Sequence, residues 1–322
     1  MRFLSKIGID LYMVLLLATV CLGLLIPARG LAAEVLKDLT FWAVALLFFL
    51  YGAKLDPKAI RAGLLNWRLQ GLSFAATYLL FPLLGLLLVT LFGPFLGTTA
   101  VLGFLFLAVL PSTVQSSIAF TSIAGGNVPG AICAASLSNL LGVMLTPALV
   151  ALMLNQGEGE VGFDAVIKIA IQILLPFVLG QLAMPWIGAF IRRHRVLSMS
   201  VDRGSILLIV YSAFSAGTVS GLWATVSGGD LAVISGVVVL FLALAMGLMV
   251  LAGQIFGLDA PDRAALFYCG STKSLASGLP IATALFAPET VGAIVLPLMI
   301  YHMLQLLVCA FLSQKAAVPH AV

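Results

Sequence analysis

Charge is what this sequence has least of. Its 322 residues include 16 Lys and Arg and 12 Asp and Glu, 9% of the chain, against about 25% in a soluble globular domain. So small a polar complement cannot cover a surface facing water. Cysteine is sparse as well: Cys21, Cys133, Cys269 and Cys309 all fall inside apolar runs, and none forms a CxxC pair. They read as packing residues, without a disulfide or metal framework. The sequence also lacks an ATP-binding Walker A loop, an HExxH zinc motif, a GxSxG nucleophile turn and a pair of mid-run aspartates. An enzyme and a bound cofactor are therefore not expected.

What fills the chain instead is 62% hydrophobic residues, with a mean hydropathy of +1.19. A bilayer crossing needs roughly 20 apolar residues, and a hydropathy window gives ten such stretches. They lie near 10–27, 38–54, 69–92, 98–123, 128–152, 163–190, 204–222, 231–256, 262–286 and 289–313. The first follows Arg2 and Lys6 as a signal peptide would, but no small-residue cleavage site ends it, so it is expected to be retained. The short segments between stretches leave no room for a soluble domain. The expectation is an all-α polytopic membrane protein, one domain over 1–322.

Basic residues set the orientation, because loops rich in Lys and Arg stay cytoplasmic. With the N-terminus inside, Arg2, Lys6, Lys54, Lys58, Arg61, Arg68, Arg192, Arg193, Arg195, Arg203, Arg263 and Lys315 are cytoplasmic, twelve of the sixteen. Arg29, Lys37 and Lys168 are opposite. Both termini are thus expected in the cytoplasm of a bacterial inner membrane. The net charge of +4 follows from this topology and gives no reason to expect nucleic-acid binding.

Matched features recur in order at an offset of about 160 residues. Leu22-Gly23 ending at Pro27 returns as Leu179-Gly180 ending at Pro185, and Leu46-Leu47 with Tyr51 returns as Leu207-Leu208 with Tyr211. Ser112-Thr113 returns as Ser271-Thr272, and Val128-Pro129-Gly130-Ala131-Ile132 as Val291-Gly292-Ala293-Ile294. Five stretches per half is an odd number, so the second half enters the membrane from the other side. Repeat 1 is placed at about 8–152 and repeat 2 at about 163–313. Two inverted halves can adopt states open to either side, as alternating access requires.

Stretches four and nine turn polar at mid-depth. Stretch four carries Pro111, Ser112, Thr113, Gln115, Ser116 and Ser117; stretch nine carries Ser271, Thr272, Lys273 and Ser274, then Gly278 and Pro280. Matched interruptions in both halves point to broken helices and a substrate or ion site between them. Small polar residues can instead simply let helices pack closely, and Pro111 can merely kink its helix. Lys273 is the one basic residue deep in a stretch, and no mid-run carboxylate is available to pair with it. It needs a partner, a wet cavity or deprotonation, unless it snorkels to the interface. His302 and Gln305, three residues apart, share a helix face, where His302 could serve a proton relay or be a packed residue bonded to a helix carbonyl. Gln172, Gln181, Ser212 and Ser215 are further candidates for lining a cavity.

Pro111 through Gly126-Asn127-Val128, Leu145-Thr146-Pro147 and Ser277-Gly278-Leu279 resemble the bile acid:sodium symporter family, and within it the YfeH-like bacterial branch that includes an orphan vertebrate member. The resemblance covers essentially the whole chain. It implies a core domain of stretches three to five and eight to ten, in which broken helices four and nine cross, beside a panel domain of the other four. It also implies sodium sites, and there this sequence departs from the pattern. The family's Ser-Asn pair in stretch four falls at Ser116-Ser117. Its stretch-five hydroxyls fall near Ala131 and Ala135, beside Ser136, Ser138 and Asn139. Its glutamine ahead of the stretch-three proline falls at Thr77, and its stretch-nine glutamate at Ser271. A sodium site on this chain would involve Ser116, Ser117 and Ser271.

Two readings of Lys273 follow: its ammonium could take the electrostatic place of a missing cation, or burial could let it load and release a proton. The expected function is secondary active transport of a small organic anion, coupled to sodium or protons. The alternative is a cation/proton exchanger or a regulator of ion (calcium) homeostasis. The expected partners are the lipid bilayer and a small anionic solute, with the chain a monomer or homodimer.

Overall fold

A computed structural model describes residues 11–54, 66–154 and 170–316. Among the described residues, every regular element is a helix. The elements in order are α1 (Leu11–Leu25), α2 (Leu31–Lys54), α3 (Trp67–Ala75), a π-helical turn (Ala76–Leu80), α4 (Phe81–Phe92), α5 (Thr98–Ala108), α6 (Gln115–Ile123) and α7 (Val128–Leu154). A second π-helical turn (Ala170–Leu174) precedes α8 (Leu175–Arg193), followed by α9 (Arg195–Val219), α10 (Gly228–Ile255), α11 (Ala260–Ser271), α12 (Leu275–Leu285) and α13 (Pro288–Ala316). Helix stands at each of the ten apolar stretches, although the start of the sixth lies outside the described residues. Among the described residues, six helices are long and apolar enough on their own to cross a membrane; Val14–Leu25 and Thr98–Ala108 are shorter apolar helices. Leu25, Trp42, Leu91, Trp186 and Val239 stand exposed on the outside, as side chains do when lipid is the solvent. The chain is a multi-pass membrane protein.

Two helices begin earlier than hydropathy placed them. Helix α2 starts at Leu31 and takes in Glu34, Lys37 and Asp38, and α9 starts at Arg195 and takes in Asp202 and Arg203. Charged residues lower the hydropathy of a window without breaking a helix, so helix runs on past the apolar stretch.

Packing places the helices in two groups joined by α9. Helix α1 lies on α9 and α2 lies on α8, α3 to α7 pack with α10 to α13, and α9 also packs on α12 and α13. The α2–α8 crossing is very close. A Cβ on Gly52 would come within 2.1 Å of the Phe177 carbonyl oxygen, and one on Gly180 within 1.9 Å of the Phe49 oxygen. Only glycine on both helices lets the backbones approach that far. At one end of the second group, Asp262 accepts from Asn66 Nδ2 (2.6 Å) and Asn127 Nδ2 (2.7 Å), and Asn127 N donates to the Pro261 oxygen. This cluster ties the starts of α3, α7 and α11 together.

Two crossings are interrupted. Residues 109–114 separate α5 from α6, and residues 272–274 separate α11 from α12. These are the two places where the sequence turns polar.

A candidate transport site at two broken helices

Each interruption frees backbone groups that lipid cannot satisfy, so every one needs an internal partner. Pro111 has no N–H and cannot extend α5. Around it, Ser112 N donates to Ser138 Oγ (3.0 Å), the Ser112 oxygen accepts from Asn139 Nδ2 (2.7 Å), and the Val109 oxygen accepts from Thr146 Oγ1 (2.8 Å). Tyr78 Oη donates to the Ser138 carbonyl. The two breaks also hold one another. Ser274 N donates to the Pro111 oxygen (2.8 Å), Ser112 Oγ donates to the Cys269 oxygen (2.5 Å), and the hydroxyls of Thr113 and Thr272 lie 2.9 Å apart.

Lys273 sits in the second break with no exposed surface, so it does not snorkel. Its Nζ donates to three backbone carbonyls: Leu110 (2.6 Å), Ala108 (3.0 Å) and Thr77 (3.1 Å). It also lies 4.0 Å from the centre of the Phe81 ring. Two of these oxygens are left open by the end of α5. The third comes from the first π turn, where Phe81 N reaches back to the Ala76 oxygen. In that register Thr77 would be paired by residue 82, which is proline and has no N–H. The helix thus presents an orphan carbonyl, and Lys273 fills it. An unpaired buried ammonium costs at least several kcal/mol. Three charge-assisted hydrogen bonds at about 1.5–3 kcal/mol each, with a cation–π term of up to about 2, offset a cost of that size. The negative end of the α5 dipole adds to the attraction.

The main chain of Lys273 is held by Gln305. Lys273 N donates to Oε1 (2.8 Å), and Nε2 donates to the Lys273 oxygen (2.8 Å). An amide nitrogen can only donate, so His302 Nδ1, 2.9 Å from Nε2, is the acceptor of that pair. Tyr301 Oη donates to the Ser271 oxygen (2.8 Å).

A cavity of about 700 Å³ lies against both breaks, lined there by Pro111, Thr113, Gln115, Ser116, Asn139 and Ser274. Ser136 and His302 are on its wall. It reaches Lys54, Asp202, Arg203 and Gln314 at helix ends, where Lys54 Nζ pairs with Asp202 Oδ2 at 2.5 Å, the one ion pair among the described residues. The two half-helices beside the cavity start differently. Helix α12 is capped by Ser274 Oγ, which accepts from Ser277 N, whereas no side chain caps α6, whose first residues Val114, Gln115 and Ser116 border the cavity.

Of the residues singled out in the sequence, Ser112, Thr113, Ser138, Asn139, Thr272, Lys273, Ser274 and Gln305 meet at the crossing, and Gln115, Ser116, Ser136 and His302 face the cavity. Three hydroxyls turn back onto their own helices: Ser117 Oγ to the Thr113 oxygen, Ser271 Oγ to the Phe267 oxygen and Thr77 Oγ1 to the Ser73 oxygen. Thr77 therefore contributes its carbonyl to the crossing, not its side chain. Gln172, Gln181, Ser212 and Ser215 do not line the cavity. Ser215 instead accepts from Ala28 N at 2.6 Å, joining α9 to the end of α1. The carbonyls of Ala108 and Leu110, the Phe81 ring and Tyr301 escaped the sequence reading. Only Pro82, five residues after Thr77, hinted at any of them.

Three comparisons bear on this arrangement. The chain is 48% identical over 310 residues to an uncharacterized protein of Pseudomonas aeruginosa, covering 96% of this chain and 93% of the other. It is 43% identical over 307 residues to the putative symporter YfeH of Escherichia coli, covering 95% and 92%. It is 27% identical over 324 residues to sodium/bile acid cotransporter 7 of Rattus norvegicus, again covering 95% and 92%. With residues 10–317 matching its family model, the chain belongs to the SBF-like CPA transporter family.

Proposed function

We propose that this transporter moves a small organic anion across a bacterial inner membrane by alternating access between two inverted five-helix halves. The observation that carries this reading is the cavity at the paired helix breaks, where the uncapped start of α6 offers backbone N–H groups and a positive dipole end to an anion. Its volume of about 700 Å³ suits a small organic molecule. Lys54, Asp202 and Arg203 line the far end of the cavity. Membership of the family and the printed names of the relatives, a putative symporter and a sodium/bile acid cotransporter, agree with such a cargo.

The inverted repeat is supported by contacts. The matched pairs Ser112-Thr113 and Ser271-Thr272 supply hydroxyls that touch each other, as groups beside a two-fold axis do. Stretch one on stretch seven and stretch two on stretch six are the pairings such an axis exchanges, and they are the α1–α9 and α2–α8 contacts. Helices α1, α2, α8 and α9 then form the panel, and the others form the core that moves against it.

The test is solid-supported membrane electrophysiology and tracer uptake in proteoliposomes, against a panel of carboxylates and sulfonates. Saturable anion uptake is expected. Cation exchange with no anion flux would favour a cation/proton exchanger instead, a reading that a fixed ammonium at the crossing makes electrostatically costly.

A further inference from the structure

We propose that the ammonium of Lys273 is a built-in replacement for a bound coupling cation, so that the crossing needs no sodium to be complete. The inference rests on reading the crossing as the transport site. It starts from a count of donors. An ammonium has three N–H groups and no lone pair, and Nζ meets three carbonyl oxygens at 2.6, 3.0 and 3.1 Å. A neutral amine would have only two donors and would turn a lone pair toward the third oxygen. The cage is thus matched to the charged form.

Carbonyl oxygens freed from two different helices, closed by an aromatic face, are the coordination a desolvated monovalent cation takes from a membrane protein. Here a side chain from the break between α11 and α12 delivers the charge. No described carboxylate hydrogen-bonds or pairs with Lys273: Glu34, Asp38, Asp230, Asp259, Asp262 and Glu289 lie at or within about two turns of helix starts, and Asp202 lies at the cavity's far end, paired with Lys54. Of the three hydroxyls expected at a sodium site, those of Ser117 and Ser271 donate to carbonyls four residues earlier, and Ser116 faces the cavity away from the Lys273 cage. A free cation entering beside Lys273 would meet like charge and no counter-charge.

The experiment needs no substrate, so its failure is distinct from a failure to find the transported anion. Unfolding temperatures of the purified protein are measured in NaCl, KCl, NH4Cl and choline chloride at constant ionic strength. The wild type should give the same midpoint in all four. Lys273→Ala vacates the ammonium and leaves the carbonyls; its midpoint should fall and then rise saturably with ammonium or an alkali cation, by about 2–4 °C per kcal/mol of linked binding. A saturable sodium-specific rise in the wild type overturns the proposal, and so does a folded Lys273→Ala that ignores every cation. Lys273→Met keeps the aliphatic stem without the charge. A wild-type midpoint in that variant, unmoved by any of the four cations, would show that the charge has no role and overturn the proposal.

Discussion

Lys273 and Gln305 divide the break between α11 and α12 between them, the one satisfying foreign carbonyls and the other the main chain of Lys273 itself. Gln305→Leu keeps the volume but strands a buried N–H and a buried C=O. Each such group costs about 1–3 kcal/mol, so the variant should be less stable by about 2–6 kcal/mol, read as a lowered unfolding midpoint. Thr77→Val should behave oppositely. Its hydroxyl only bonds back to Ser73, and the carbonyl that meets Lys273 survives the change, so stability should move by less than about 1 kcal/mol and transport should persist. Strong loss of transport in Thr77→Val would give the hydroxyl a direct role. At this scale Lys273 was conspicuous in the sequence, because a charge deep in an apolar run stands out. Its partners were not, since a backbone carbonyl has no residue type of its own and is exposed only by what the chain does five residues later.

The helices repeat this contrast. Where they lie could be read from apolar length, and where they break from the clusters at Ser112-Thr113 and Ser271-Thr272. The π turns could not, although each ends two residues before a proline, Pro82 and Pro176. A proline inside an apolar run is compatible with a kink, a break or a π turn, and packing against neighbouring helices decides among them. The Asn66–Asp262–Asn127 cluster was missed for a related reason, because its members are distant in sequence and individually unremarkable. Asn127 both donates to Asp262 and caps Gly130 N at 2.8 Å. Asn127→Ala should destabilise the core helices by about 1–3 kcal/mol, measured by thermal unfolding. In an Asp262→Ala background only the part of the cost owed to the Gly130 cap should remain.

For the whole molecule, the cavity selects one of the two states that alternating access requires. Its far end is formed by the C-terminus of α2 at Lys54, the first turns of α9 at Asp202 and Arg203, and the last turn of α13 at Gln314. Under the orientation expected from basic residues, all of these lie on the cytoplasmic side, and the expectation is a conformation open inward. A cysteine placed at Gln115, on the exposed start of α6, reports this directly once the exposed native Cys21 is replaced by serine. In that background a membrane-impermeant maleimide should modify Gln115→Cys in inside-out vesicles and leave it untouched in spheroplasts. Adding a transported anion should slow the reaction, because ligand at the α6 terminus covers the thiol. Adding it should also make the thiol reachable from the periplasm, because a population crossing between two states is exposed to each side in turn. Labelling from the periplasmic face alone would reverse the topology. Labelling from the cytoplasm with no response to any anion would leave the orientation intact but remove the cavity from the transport path, since a ligand can shift only an equilibrium whose states it binds differently.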